Sequence, residues 1–167
     1  MRSMNETDDS DGSLLARHAD GDTEAFELLY RRHEMRTWRY IERNVGNRAA
    51  ADELMQEVWF TVSRDAARFE PRTRFAAWLF AIAHKRVAES TGTSTESGAA
   101  AAREPMSPVT RAVGQLPREQ REAFLLQMEG ELSLDEIASI TNSSLETVKS
   151  RLRLARTKLY ELLSEQV

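Results

Sequence analysis

Apolar residues recur along most of the chain at the three-to-four-residue spacing of one face of an α-helix. The longest such stripe, between residues 23 and 45, consists of Phe26, Leu29, Tyr30, His33, Trp38, Ile41 and Val45. Gly46 follows it, and glycine is common where a helix ends. Runs in which Val, Ile or Thr alternate with polar residues are nearly absent, whereas the helix formers Leu, Ala, Glu and Arg are abundant. The pattern predicts an all-α fold.

The first half of the chain is predicted to hold four helices. We expect them at residues 13–19, 23–45, 48–64 and 74–89, with a loop at 65–73. In the third helix Leu54, Val58 and Val62 are spaced i, i+4, i+8, and the fourth helix is apolar on most sides. Pro71 supports the loop between them because proline interrupts helices.

Two segments lack the helical pattern. Residues 1–12 are polar and acidic, which predicts a disordered tail. Residues 90–108 are rich in Ser, Thr, Ala and Gly, which predicts a flexible linker. The chain is therefore expected to form two small helical domains, at 13–89 and 109–167.

The second domain begins with clear helix signals. A helix is predicted at 118–128, with Pro117 in its first turn and Gly130 after its end. Ser133 and Glu136 have the spacing of a capping box, which predicts a short helix directly after them. Its expected inward residues are Leu134, Ile137, Ala138 and Thr141.

The last predicted helix has an apolar face and a basic face, and a second capping signal at residues 143–146 precedes it. Its expected inward residues are Val148, Leu152, Ala155, Leu159 and Leu162. Its exposed stripe consists of Lys149, Arg153, Arg156 and Tyr160. Two short capped helices with a basic second helix are typical of a helix-turn-helix, whose second helix lies in the DNA major groove. A merely solvated helix face would show the same stripe, but the two capping signals at this spacing favour DNA binding.

Composition narrows the possible chemistry. The net charge is −4, so the basic helix is a local exception. Cysteine is absent, which excludes disulfides and thiolate zinc sites and suits the reducing cytoplasm. The three histidines lie on separate predicted helices and there is no glycine-rich phosphate loop, so we predict no enzyme, no metal and no cofactor. Neither a signal peptide nor a run of about 18 apolar residues is present, so we expect no membrane insertion.

Residues 116–159, LPREQREAFLLQMEGELSLDEIASITNSSLETVKSRLRLARTKL, strongly resemble the promoter-binding domain of bacterial extracytoplasmic-function (ECF) sigma factors. The string TVKSR at 147–151 is quite specific for that family. Residues 26–89 resemble the family's other domain, which binds RNA polymerase core and opens the promoter at the −10 element. The resemblance implies a dissociable sigma subunit that directs initiation at promoter DNA carrying −10 and −35 elements.

The resemblance also implies site residues. The helix that docks on the clamp coiled coil of the largest polymerase subunit corresponds to Asp52, Glu53, Leu54, Gln56 and Glu57. Of the apolar residues in that helix, Leu54, Val58 and Phe60 can pack. The implied −10 residues are Phe69, Arg72, Arg74, Trp78, Lys85 and Arg86, although Trp78 also suits a core position. The implied −35 residues are Thr147, Lys149, Ser150, Arg151, Arg153 and Arg156.

Three departures from the family pattern bear on these roles. The polymerase-binding helix has one acidic position fewer, because Ala50 and Ala51 precede Asp52. The −10 surface is less cationic, because Ala76 stands where the family often has arginine. Glu146 brings a negative charge to the start of the DNA-reading helix.

The sequence leaves other partners and functions open. The resemblance implies contact with the second-largest polymerase subunit and control by an anti-sigma protein, or by phosphorylation at Thr61 or Ser63. One alternative is a stand-alone helix-turn-helix regulator whose N-terminal helices form a sensor domain. Another is an adapter that has kept the fold without promoter activity.

Overall fold

The computed structural model describes residues 10–91 and 107–165, and it confirms the predicted all-α fold. Within these ranges the chain forms eight α-helices, one 3-10 turn (Ala66–Arg68) and no strand. The helices are α1 (Asp11–Ala19), α2 (Thr23–Val45), α3 (Arg48–Arg64), α4 (Phe75–Thr91), α5 (Pro108–Gly114), α6 (Arg118–Met128), α7 (Leu134–Thr141) and α8 (Leu145–Ser164).

Local capping groups set the ends of the best predicted helices. The carboxylate of Asp22 accepts a hydrogen bond from the backbone N–H of Ala25 at 3.2 Å and so starts α2. Gly46 ends α2 with φ = 71°, a left-handed conformation that glycine adopts without steric cost. Asn47 then caps α3 through the N–H of Ala50 at 3.0 Å. The structure confirms the predicted bounds 23–45, 48–64 and 118–128.

Two helices extend beyond their predicted ends. The hydroxyl of Ser10 accepts a hydrogen bond from the N–H of Ser13 at 3.1 Å, so α1 begins at Asp11 rather than at residue 13. The last residues of the predicted tail are therefore helical, and residues 1–9 lie outside the described ranges. Helix α4 continues through Thr91, two residues beyond its predicted end.

The sequence prediction lacks α5. The Ser107 hydroxyl accepts a hydrogen bond from the N–H of Thr110 at 3.1 Å, and Pro108 occupies the first turn, where its missing N–H costs nothing. This short helix buries Ala112 and Val113. The end of the predicted linker thus belongs to a helix, and residues 92–106 of that linker lie outside the described part of the chain.

The N-terminal domain, α1 to α4, is organised around buried apolar residues of α2 and α4. Tyr40 is fully buried, and its ring meets that of Phe80 edge-on at a centroid distance of 5.4 Å. Its hydroxyl lies 3.3 Å from Nδ1 of His84. Burial raises the pKa of Tyr40 well above its usual value and lowers the pKa of His84, so both side chains favour their neutral forms.

The C-terminal domain, α5 to α8, contains the predicted helix-turn-helix. Ser133 and Glu136 form the complete capping box: the N–H of Glu136 donates to the serine hydroxyl at 3.1 Å, and the N–H of Ser133 donates to the glutamate at 2.9 Å. Asn142 ends α7 with φ = 53°, and Ser144 caps α8. Four of the five predicted inward residues of α8 are buried: Val148, Leu152, Ala155 and Leu159.

The two domains pack against each other. Helix α2 contacts α5 and α6, and the N-terminal part of the fold also reaches the helix-turn-helix through α4 and α7. The side chains that meet there are largely charged, with arginines of the first domain paired to glutamates of the second. This arrangement decides which of the candidate site residues are accessible.

Candidate polymerase and nucleic-acid interfaces

The predicted polymerase-binding residues lie on α3. Asp52, Glu53, Gln56 and Glu57 are exposed and form one acidic and polar edge of the helix. Leu54 is only 7% exposed and packs into the core. Four of the five residues therefore form a surface that a basic partner can reach, whereas Leu54 holds the helix in place beneath it.

An apolar groove between α2 and α3 borders this acidic edge. Its lining includes Tyr30, Trp38, Met55, Trp59 and Phe60. Sequence reasoning allowed Phe60 to pack inward, but its side chain is 65% exposed. A large exposed aromatic ring at the rim of an apolar groove is typical of a protein-binding surface. The i, i+3 relation between Glu57 and Phe60 was the signal in the sequence that the ring shares the acidic edge.

The predicted −10 residues of the first domain include an aromatic cluster. The rings of Phe69 and Trp78 lie 5.3 Å apart in an edge-on arrangement, and Phe75 contacts both. Phe75 is 4% exposed and belongs to the core, whereas Phe69 and Trp78 are half-buried at the surface. A groove of about 600 Å³ opens next to Phe69, between α1, the 3-10 turn and the loop before α4. The cluster offers partly open ring faces next to a space large enough for a nucleobase.

The four cationic residues predicted to bind −10 DNA differ in availability. Arg72 and Lys85 are exposed. Arg86 turns toward α3, where it donates to the Thr61 hydroxyl at 3.0 Å, and it also pairs with Glu89 of its own helix at 3.2 Å. The structure therefore does not bring Arg86 together with the other cations on one open face.

Arg74 is held by the second domain. Its Nε donates to Oε2 of Glu136 at 2.9 Å, and its Nη2 donates to Oε1 at 2.7 Å and to the backbone carbonyl of Glu131 at 3.1 Å. The guanidinium lowers the pKa of Glu136 to about 2. Sequence reasoning missed this pairing, because it joins residues 62 positions apart.

The predicted exposed stripe of α8 is confirmed. Lys149, Arg153, Arg156 and Tyr160 are all exposed on one side of the helix. Arg156 also donates to the side-chain oxygen of Gln127 at 2.6 Å. The exposed cations thus form a line parallel to the axis of α8, as is needed in a helix that lies in a DNA groove.

The remaining predicted −35 residues are partly engaged inside the domain. The hydroxyl of Thr147 accepts a hydrogen bond from that of Ser144 at 2.8 Å, and Ser150 is half-buried. Arg151 donates to the hydroxyl of Ser143 at 2.9 Å and lies 3.4 Å from a carboxylate oxygen of Glu119. These contacts brace the turn between α7 and α8, so Arg151 has a structural role in addition to any contact with DNA.

The two hydroxyls considered for phosphorylation differ in exposure. Thr61 is 6% exposed, and its hydroxyl donates to the backbone carbonyl of Glu57 at 2.9 Å. A kinase could reach it only if the domain opened. Ser63 is half-buried and lies 2.8 Å from Nε2 of His18.

Comparison with known proteins agrees with this two-part layout. Residues 29–90 match the family model of sigma-70 region 2, and residues 107–159 match that of sigma-70 region 4. The RNA polymerase sigma factor CarQ of Myxococcus xanthus is 33% identical over an alignment that covers 90% of this chain and 96% of that protein. The chain belongs to the sigma-70 family. It is an ECF sigma factor, because the ECF RNA polymerase sigma factor SigM of Mycobacterium tuberculosis is also 31% identical, over 92% of this chain and 85% of SigM.

Solved structures share the fold of this sigma factor. CnrH, solved with the cytosolic domain of CnrY, superimposes with a TM-score of 0.73 at 22% identity and covers 94% of this chain and 99% of its own. The sigma factor RpoE of Bartonella quintana, solved with the anti-sigma factor NepR, gives 0.68 at 21% identity, over 83% and 96%.

Family membership favours one of the functions that the sequence left open. Sigma factors bind RNA polymerase and promoter DNA and direct promoter-specific initiation, and they are not catalysts themselves. This favours the sigma factor over the stand-alone regulator. No helix in residues 10–91 or 107–165 has an apolar stretch that could cross a bilayer. The same residues contain no group of three His, Asp or Glu side chains placed to hold a metal ion.

Proposed function

We propose that this ECF sigma factor divides promoter recognition between its two domains. The acidic edge of α3 docks on the clamp coiled coil of the largest polymerase subunit. The loop before α4 and the first turns of α4 capture the melted −10 element, and α8 reads the −35 element. The observation that carries the proposal is the separation of charge: exposed carboxylates on α3 and exposed cations on α8 form two distinct surfaces of an acidic chain.

The acidic edge suits a basic partner. Glu53 and Glu57 are four residues apart on α3, so their carboxylates face the same side. Complementary charge steers two proteins into contact and increases the association rate more than the final affinity. The exposed ring of Phe60 beside them supplies apolar area for the centre of the contact.

The aromatic cluster suits an unstacked base. Melting the −10 element leaves bases without their neighbours, and taking a base out of the stack costs a few kcal/mol. Phe69 and Trp78 provide partly exposed rings, and the adjoining groove gives the base a place to lie. Arg72 and Lys85 are exposed nearby along the loop and helix and would contact the backbone phosphates.

The stripe on α8 suits duplex DNA. Thr147 and Ser150 lie at the N-terminal end of the helix, where residues of a recognition helix meet base edges. Lys149, Arg153 and Arg156 follow along the exposed side and would neutralise phosphates. Contact with polymerase makes binding of the second element intramolecular, so an acidic free subunit does not need to bind DNA strongly by itself.

Other partners follow from the same assignment. We infer that the helix-turn-helix domain also contacts the second-largest polymerase subunit and that the protein acts in the cytoplasm, where polymerase meets DNA. Because CnrH and RpoE were solved with CnrY and an anti-sigma factor, respectively, we also expect an inhibitory protein partner for this chain.

In vitro transcription tests this function. The purified protein is combined with sigma-free RNA polymerase core and a library of genomic promoter fragments, and transcript starts are sequenced. We expect starts that depend on the protein and share two spaced motifs. Core binding without specific starts would contradict the promoter assignments, and absence of core binding would contradict the α3 assignment.

A further inference from the structure

Three arginines form a row along α2 at the contact between the domains. Arg36, Arg39 and Arg43 are spaced three and four residues apart, so they lie on one face of the helix. Nε of Arg39 donates to both carboxylate oxygens of Glu129, at 3.0 and 3.1 Å, and Nη1 of Arg43 donates to the same group at 2.7 Å. Arg36 pairs with Glu131. Together with the contact between Arg74 and Glu136, four guanidinium groups of the first domain are bound to three carboxylates of the second.

The turn between α6 and α7 presents two of these acids, Glu129 and Glu131, and Glu136 follows in the first turn of α7. Gly130 separates Glu129 from Glu131, and a Cβ atom at Gly130 would lie 2.7 Å from the backbone oxygen of Leu126, so a larger residue would force the backbone to shift. Glu131 adopts φ = 53°, a conformation that residues with side chains rarely take. Such strain persists only where surrounding contacts hold it. Here the side chain pairs with Arg36 and the carbonyl accepts from Arg74.

The pairing has the geometry of phosphate recognition. A guanidinium group binds a carboxylate and a phosphate through the same forked donors, and Arg74 uses two of them, Nε and Nη2, on Glu136. Arg39 instead shares its Nε–H between the two oxygens of Glu129, and Arg43 donates to the same carboxylate. Glu129 is only 6% exposed, so its charge is compensated chiefly by the two arginines beside it. Four arginines that bind three carboxylates could equally bind successive phosphates of a DNA strand.

We infer that Glu129, Glu131 and Glu136 occupy a phosphate-binding surface of the N-terminal domain and thereby hold the free protein closed. The surface consists of Arg36, Arg39, Arg43 and Arg74, and it extends the proposed −10 face onto α2. The inference rests on the proposed function, because Arg74 belongs to that face. When the domains separate, the four arginines become available to the DNA backbone, so DNA and the acidic turn compete for the same groups.

The test uses a variant that removes the three charges and keeps the fold. Glutamine at position 136 can still complete the capping box with Ser133, so E129Q/E131Q/E136Q removes the ion pairs without removing the cap. The matched control, D135N/E161Q/E165Q, changes the charge by the same amount at exposed positions of the same domain. A third variant adds R36Q/R39Q/R43Q to the first.

Two measurements without polymerase report on the inference. Energy transfer between dyes on A67C and S164C reports domain separation, because the chain has no other cysteine and both positions are exposed. Fluorescence anisotropy with a labelled duplex of arbitrary sequence, at several salt concentrations, reports phosphate binding. We expect E129Q/E131Q/E136Q to lower energy transfer and bind DNA at least tenfold more tightly than the control. The slope of log K against log salt should be steeper by about 3, since each phosphate contact contributes about 0.9.

Each other outcome overturns the inference. Energy transfer and affinity equal to those of the control would mean that the glutamates do not hold the domains together. Opening without a gain in affinity, or a gain that survives R36Q/R39Q/R43Q, would mean that the row on α2 is not a phosphate-binding surface. Failure of the proposed function would instead appear as the absence of specific transcripts from the wild-type protein with core, a result that neither of these measurements depends on.

Discussion

The indole N–H of Trp38 donates a hydrogen bond of 2.9 Å to Oδ1 of Asp52 and so ties α2 to the acidic edge of α3. The guanidinium of Arg48 lies 5.9 Å from the centre of the same ring, within the range of a cation–π contact. Asp52 is therefore oriented by its neighbours, although it is exposed like Glu53 and Glu57 on the same edge. The edge therefore combines one carboxylate that a hydrogen bond from Trp38 holds in place, that of Asp52, with those of Glu53 and Glu57.

Charge reversal on this edge is expected to weaken polymerase binding. E53K/E57K should lower the affinity for a fragment carrying the clamp coiled coil at least tenfold, or about 1.4 kcal/mol, because it places like charges opposite a basic surface. The measurement is a binding titration at low and high salt, and the difference should shrink as salt screens the charges. E161K, at an exposed position of α8, serves as the control. Equal affinities for the two variants would remove α3 from the interface.

On the DNA-reading helix, two arginines two residues apart should behave differently. Arg153 is exposed and is assigned to a phosphate, so R153A is expected to weaken binding about equally for intact and mutated −35 elements and to leave the melting temperature unchanged. Arg151 braces the turn through Ser143 and Glu119. R151A should therefore lower the free energy of unfolding by about 1 kcal/mol.

Thermal melting and holoenzyme binding to duplexes with an intact or mutated −35 element separate these two effects. If R151A melts like the wild type, its contacts with the turn contribute nothing to stability. If R153A binds both duplexes as tightly as the wild type does, Arg153 does not contact a phosphate.

Local signals in the sequence were sufficient to predict most helices. The side chains of Asp22 and Ser133 and the left-handed Gly46 act within four residues of their partners, so the sequence alone locates them. The exposed stripe of α8 was predictable for the same reason, since helical periodicity relates near neighbours. The prediction omitted α5, although Ser107 and Pro108 are a typical helix start. The seven residues of α5 carry too little apolar periodicity to stand out, and they adjoin a Ser-rich and Ala-rich segment.

The domain contact could not be predicted in this way. Arg36 and Glu131 are 95 positions apart, and Arg39 and Glu129 are 90 apart. Each of these residues taken alone is typical of a solvated helix face. Only the folded chain shows that the charges of two such faces are paired, and that one predicted −10 residue, Arg74, is among them.

Gly130 and Gly114 offer a matched pair for testing the turn that carries the acids. In G130A the new methyl group would meet the Leu126 carbonyl at 2.7 Å, and a backbone atom cannot move aside easily. We expect G130A to lose about 1–3 kcal/mol of stability, as is usual for overpacking. Gly114 ends α5 with open space around it, so G114A should be neutral or more stable by about 0.5 kcal/mol. Calorimetry of the full chain measures both, and equal melting temperatures would mean that the turn relaxes around the methyl group.

Acid should weaken the closed arrangement through Glu136. Its pKa in the closed structure is about 2, below the ordinary 4.5, chiefly because Arg74 donates hydrogen bonds to it and in smaller part because of its cap with Ser133. Only the part due to Arg74 is lost when the domains open. At acid pH the closed form therefore binds fewer protons at this site than the open form. The ionised carboxylate favours closure, and its contribution is complete at any pH at which the carboxylate of the open form is also ionised. That contribution is fully present above pH 4.5 and is lost as the pH falls from 4.5 toward 2. E136Q lacks it at every pH.

The measurement compares wild type with E136Q by energy transfer between A67C and S164C from pH 7 to pH 3, with circular dichroism to confirm that the helices persist. The wild type should be more closed than E136Q between pH 5 and 7, and the difference should shrink below about pH 4.5, where open-state carboxylates take up protons. A difference that stayed constant down to pH 3 would mean that Arg74 and Glu136 do not couple the titration to domain closure. If the wild type is more closed than E136Q above about pH 4.5 and the difference shrinks toward pH 3, the ion pair between Arg74 and Glu136 is a measurable part of what holds the sigma factor closed.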